Sequence, residues 1–252
     1  MHLFADPEHR LLGVNTQESF EAVFELARRQ HPEPDMICLT GDMSQDESLI
    51  AYERLAELIS QYHCPKYWIP GNHDDIAYIE KVYSRFHIQN QKHIVLDHWQ
   101  VVLLDTKKED AVEGQMNDDQ FVLLEKSLST FPEHHALIFM HHHPIPVGSK
   151  WLDNLMLNNA KRFWDAIEVY KNIRTIVCGH VHQEKEFNRN GINIHTTPST
   201  CFQFKRDSTQ FALEALKPGY RVIELFQDGS FKTEVFRADD YVLNLDEKMG
   251  GY

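Results

Sequence analysis

Two hydrophobic rhythms alternate along the chain. In one, apolar residues recur every three or four positions, which predicts helices. Asn15 and Glu18 have the spacing of a capping box, and Phe20, Val23, Phe24 and Ala27 follow on one helical face. Leu49, Tyr52, Leu55, Leu58 and Ile59 define a second face, and helices are predicted over 118–129 and near 160–170. In the other rhythm the apolar residues run on without a break. These runs predict strands over 35–40, 66–70, 136–140 and 175–178, with a hairpin from 93–96 and 100–105. The stretch from 184 to 236 reads as further strands joined by short turns. Continuous apolar strands are covered on both faces, so the order predicts a layered α/β domain. The strand-rich end adds a second sheet, giving a four-layer α/β/β/α sandwich as a single domain over 1–252.

The chemistry lies where the strands stop. Four apolar runs end in Gly41-Asp42, Gly71-Asn72-His73-Asp74, His141-His142-His143-Pro144 and Gly179-His180-Val181-His182. In open α/β sheets ligands bind beyond the carboxyl ends of the strands, so these clusters should converge on one rim. Gly41, Gly71 and Gly179 fit sharp exits from the strands. Imidazole nitrogen with carboxylate and amide oxygen suits manganese, iron or zinc, whereas calcium prefers oxygen alone. A carboxylate bridging two such ions is a recurring device for phosphoryl chemistry. Each cluster also has a bland reading: a turn at Gly-Asp, an Asx cap at Asn-His-Asp, solvated histidines elsewhere. That reading has to hold at every strand end in turn, which favours a metal site.

Composition narrows the partners. Asp and Glu number 38 against 25 Lys and Arg, a formal charge of −13. An acidic surface repels phosphate backbones, which argues against nucleic acid. No run approaches the length of a membrane span, and no charged-then-apolar leader precedes the first run. The four cysteines, Cys38, Cys64, Cys178 and Cys201, are dispersed and form no CxxC pair, as expected of free thiols in a cytoplasmic protein. The 16 histidines gain meaning only from their positions.

The ordered Gly-Asp, Gly-Asn-His-Asp, His-rich and Gly-His-Val-His motifs resemble those of the calcineurin-like metallophosphoesterases. Flanking segments, among them Leu11–Thr16, Cys178–Glu184 and Thr197–Cys201, resemble the class III cyclic nucleotide phosphodiesterase branch. The likeness runs from residue 2 to the C-terminal Gly-Tyr. It implies hydrolysis of 3′,5′-cyclic AMP to 5′-AMP by a metal-bound hydroxide, with two divalent or trivalent ions, iron or manganese. It further implies that Asp42 bridges the ions, that His2 and His182 complete one site, and that Asn72, His141 and His180 complete the other. His73 would protonate the leaving oxygen, with Asp74 as its orienting partner or as a helix cap. His2, Asp42, Asn72 and His73 would also meet the substrate, a small cyclic nucleotide. His142 and His143 would stand behind the ligands or in the loop. Thr200, Phe202 and Phe204 are placed for an adenine pocket, although core packing suits the phenylalanines better.

The chain departs from the pattern at its start. The family begins with a strand ending in Asp-x-His, and here Met1-His2 occupies the last two positions. The first strand and one carboxylate are therefore expected to be missing, leaving an unpaired strand edge and His2 on a frayed terminus. Two alternatives follow: a phosphodiesterase or phosphomonoesterase of broader specificity, or a chain with impaired metal binding and little activity. Oligomeric state has no signature in the sequence.

Overall fold

The computed structural model describes residues 1–246. Its helices are α1 (Thr16–Gln30), α2 (Leu49–Ile59), α3 (Ile76–Tyr83), α4 (Asp118–Thr130) and α5 (Ala160–Ile167), with a short helix at Lys150–Asp153. The main strands are β1 (Ile37–Leu39), β2 (Lys66–Trp68), β3 (His93–Val95), β4 (Trp99–Leu104), β5 (His135–Met140), β6 (Ile173–Cys178), β7 (Lys185–Arg189), β8 (Ile192–Thr196), β9 (Gly219–Leu225) and β10 (Phe231–Arg237). Asn15 caps α1 as its spacing predicts, its side chain accepting from Glu18 N at 3.0 Å.

A six-stranded sheet runs β3-β4-β5-β6-β8-β7. The run β4, β5, β6, β8 is parallel, and β3 and β7 close the edges antiparallel. The central strands are apolar throughout because both faces are buried. In β4, Val102 and Leu104 face the helix layer of α4 and α5, while Trp99, Val101 and Leu103 face the opposite layer with Tyr67 and Ile69. That second layer is made of the parallel pair β1–β2 and the antiparallel hairpin β9–β10. Helices α1, α2 and α3 cover β1 and β2 from outside through Phe20, Phe24, Tyr52, Leu55 and Ile79. Helix, sheet, strand pairs and helix thus form the predicted four layers.

Two expectations are revised. The strands of the C-terminal stretch do not make one new sheet: β7 and β8 extend the main sheet, and β9–β10 joins the second layer. The second layer is also not continuous. Among the described residues β1 pairs with β2 only and β9 with β10 only. A cavity of about 1030 Å³ separates them, lined by Ile37 and Leu39, by Tyr220–Leu225, and by Phe20, Phe24, Leu137, Phe139 and Val177. Among the described residues β1 has no strand on its other side. Asp42, His141, His180 and His182 are also among the cavity's lining residues.

Candidate metal centre

The carboxyl ends of β1 and β2 in one layer and of β5 and β6 in the other open on the same rim. There the backbone is bent hard. His2, Asp42, His180 and His182 all have positive φ, between 49° and 61°. Such conformations cost on the order of 1–3 kcal/mol each for residues other than glycine, and they cluster where a site dictates geometry. Of the three strand-end glycines only Gly41 has positive φ, at 94°. Gly71 and Gly179 are required by clearance instead. A Cβ on Gly71 would overlap Asp42, and one on Gly179 would lie 2.7 Å from Thr40 O and 3.0 Å from His141 Nδ1.

All six sequence-designated ligand residues lie in this crossing. Asp42 is buried, with Oδ2 3.2 Å from His141 Nε2 and 3.7 Å from His2 Nε2. His2 Nε2 lies 3.0 Å from His182 Nε2. The far nitrogens of the imidazoles are held by acceptors. His182 Nδ1 donates to Phe202 O at 3.1 Å, and His141 Nδ1 to Thr40 O at 2.7 Å. His180 Nδ1 is 3.1 Å from Asn72 Oδ1. Each such bond leaves a lone pair on Nε2, the arrangement that orients histidine toward a metal. His180 Nε2 is buried with no hydrogen-bond partner, and His141 Nε2 faces only the Asp42 carboxylate. Converging nitrogen lone pairs around a carboxylate repel one another unless cations lie among them, so the donor set fits metal ions of the kind that take nitrogen and oxygen.

Electrostatics agree with neutral donors at His2, His180 and His182. Burial pushes His2 and His180 well below the ordinary histidine value and His182 down to about 3. Burial also disfavours charge on Asp42 and His141. For that pair the mutual attraction wins: Asp42 is held well below the usual carboxylate range and His141 is raised. Burial lowers His73, against the pull of Asp42.

Several expectations change here. His2 is not frayed: it is fully buried, its N–H donates to Asp42 O at 2.8 Å, and its Nδ1 contacts Gln45 Oε1 at 2.8 Å. Asp74 neither orients His73 nor caps the helix. Its Oδ1 accepts from Met43 N, Ser44 N and Tyr52 Oη, and its Oδ2 from Gly71 N, so it ties the loop of Asp42 to the loop of Asn72. Asp75 is the cap of α3, accepting from Tyr78 N at 2.9 Å. His142 has both ring nitrogens engaged, with Thr106 Oγ1 and Val112 O. Phe202 and Phe204, by contrast, are the core residues expected, and their rings stack on His2 and His182. Three neighbours had no place at the site in the sequence: Gln45, whose amide reaches both His2 and His73; Lys107, which donates to Asn72 O at 3.2 Å; and Cys201, expected only as a free thiol and found beside His2 and His182. None of them sits in a repeated motif that could have marked it.

Residues 1–184 match the calcineurin-like phosphoesterase family. The chain belongs to that family. Metallophosphoesterases are hydrolases that use divalent metals, in keeping with the histidine and aspartate clusters at this rim. The chain is 41% identical to the 3′,5′-cyclic adenosine monophosphate phosphodiesterase of Vibrio vulnificus over 252 residues, covering 100% of this chain and 92% of the relative. It is 39% identical to the enzyme of the same name from Escherichia coli K12 with the same coverage. Among solved structures, a dimetal phosphatase from Danio rerio superposes with a TM-score of 0.57 at 14% identity, over 89% of this chain and 90% of that one. That likeness concerns the fold.

Proposed function

We propose that this metallophosphoesterase hydrolyses 3′,5′-cyclic AMP to 5′-AMP in a two-metal centre. The observation that carries the substrate is identity of about two residues in five, over the whole chain, with relatives that bear this activity in their names. The donor set supports the centre. Asp42, His2 and His182 would hold one ion, and Asp42 with Asn72, His141 and His180 the other, since these donors lie together at the rim. Imidazole nitrogen with carboxylate and amide oxygen accommodates iron or manganese. Bound there, the metals offset charge on the phosphoryl oxygens and make a water acidic enough to act as nucleophile near neutral pH.

The chain's own groups do the rest. The buried Nδ1 partners keep the histidine lone pairs turned inward, so the centre needs no reorganisation as charge develops. His73 stands at the rim, its ring 5.3 Å from that of His2, and reaches the departing 3′-oxygen with a proton. Water adds its oxygen to phosphorus, the P–O3′ bond breaks, and O3′ leaves as the hydroxyl. Of the four residues assigned to the substrate, Asn72 and His73 are half-buried and accessible, whereas His2 and Asp42 are buried. No helix among the described residues is long and apolar enough to cross a membrane.

The test is purified protein loaded with manganese or iron, assayed against cyclic AMP, cyclic GMP, linear aryl diesters and monoesters. Production of 5′-AMP with a kcat/KM above that for the other esters supports the reading. Good turnover of linear esters without turnover of cyclic AMP rejects it in favour of a broader esterase. Two ions per chain are expected, and one or none would mark an impaired centre.

A further inference from the structure

Two of the imidazoles at the rim have their protons assigned by groups that act in one way only. His182 Nδ1 faces Phe202 O and His141 Nδ1 faces Thr40 O, and a carbonyl only accepts. His2 and His73 are different. Both turn Nδ1 to one side-chain amide, that of Gln45, which has an accepting end and a donating end. Oε1 of Gln45 is 2.8 Å from His2 Nδ1, and its Nε2 is 3.3 Å from His73 Nδ1. Gln45 is itself anchored, its backbone N–H donating to Leu3 O at 2.8 Å.

We propose that Gln45 is a positioning residue that imposes opposite tautomers on the two histidines. On His2 the proton sits on Nδ1 and the Nε2 lone pair faces the metal centre. On His73 the proton sits on Nε2 and faces the substrate. A single amide can do this because it is a donor at one end and an acceptor at the other. The reverse amide orientation is at odds with the site. It would place the His2 proton on Nε2, 3.0 Å from His182 Nε2 and 3.7 Å from Asp42 Oδ2, in the position a metal needs. It would also present a bare lone pair of His73 to the leaving oxygen, which requires a proton. The catalytic consequence rests on the proposed ester hydrolysis; the tautomers do not.

The test is Gln45→Glu, a near-isosteric change that makes both ends acceptors. In zinc-loaded, ¹⁵N-labelled protein, two-bond proton–nitrogen correlation spectra separate protonated from bare ring nitrogens. The wild type should show Nδ1–H on His2 and Nε2–H on His73. In Gln45→Glu the His2 pattern should persist and that of His73 should invert to Nδ1–H. Zinc content should stay at the wild-type ratio. Cyclic AMP turnover should fall on the order of 10²-fold, the scale of lost general-acid catalysis. The dependence of kcat on leaving-group pKa should steepen, since nitrophenolate departs without a proton. Nδ1–H on His73 in the wild type, or Nε2–H on His73 retained in Gln45→Glu, overturns the inference. If the tautomers behave as stated while the wild type hydrolyses no phosphodiester, the proposed function fails and the role of Gln45 in setting tautomers stands.

Discussion

Gly71→Ala should separate the demands of the site from those of the fold. Position 71 lacks positive φ, so alanine is compatible with the backbone and should restrict the unfolded chain, a gain of about 0.4–1 kcal/mol where nothing is in the way. Here Asp42 is in the way. An ideal Cβ would overlap its Oδ1 and backbone nitrogen, and would lie 2.7 Å from its Cγ. Comfortable contact begins at roughly 3.5 Å, so the carboxylate has to recede by about 1 Å. The backbone of Asp42 cannot follow easily, because its carbonyl accepts from His2 N at 2.8 Å. Its Oδ1 would meanwhile lose the His73 N–H donor, now at 3.1 Å. A displacement of about 1 Å at a reacting centre costs on the order of 10²-fold in rate. Turnover should fall by at least that factor, and bound metal should fall below two ions per chain. Gly191→Ala is the contrast. Gly191 has φ of 86° with nothing within 4 Å of an added Cβ, so it should lose stability, on the order of 1 kcal/mol from backbone strain, and keep its turnover. Metal analysis, steady-state kinetics and urea melts on both variants decide it. Gly71→Ala with a full metal complement and wild-type kcat would show that the tight approach to Asp42 has no functional weight.

Further outcomes can be stated. His73→Ala should lower turnover about 10²–10⁴-fold with metal content unchanged, measured by kinetics and metal analysis; loss of metal instead would make His73 a ligand. Asp74→Ala strips acceptors from Met43 N, Ser44 N and Gly71 N. Each buried donor left unpaired costs about 1–3 kcal/mol, so urea melts should show a loss of at least about 3 kcal/mol. Lys92, packed 3.9 Å over the Trp68 ring, has its pKa pushed by burial from 10.5 down to about 8. The unfolded chain therefore binds more protons between pH 8 and 10.5, and stability rises with pH across that window. Against a Lys92→Met reference, wild-type stability should climb from pH 8 to 10.5; a flat or falling difference would contradict the burial of the ammonium.

Much of the layering was legible because it is written in local periodicity. A strand such as β4, apolar at every position from Val101 to Leu104, must be covered on both sides wherever it lies in the fold. A helix such as α1 announces its own start through Asn15 and Glu18. The tail was harder. Its strands have mixed exposure, and nothing local says whether a strand will pair with β6, as β8 does, or turn away into the hairpin of β9 and β10. Helix α3 was signalled only by a candidate cap one residue too early, at Asp74: it is eight residues long and begins within three residues of the Asn-His-Asp motif, too short for its period to stand out.

At the metal centre the division is similar. The residue types and their places at strand ends were determined by the sequence alone, since a strand must stop somewhere and these four stop at groups with nitrogen or oxygen donors. What only the tertiary structure decided are the relations between those ends. Asp42 meets a histidine 99 positions away in His141, and His2 meets one 180 positions away in His182. Gly71 is needed for clearance from Asp42 rather than for its own φ; Asp74 ties loops rather than orienting His73; and Gln45 addresses two histidines at once. The physical reason is range. Period and capping act over a few residues of backbone, whereas coordination and hydrogen bonding act over about 3 Å of space, and it is the packing of the two strand layers that makes such distances short.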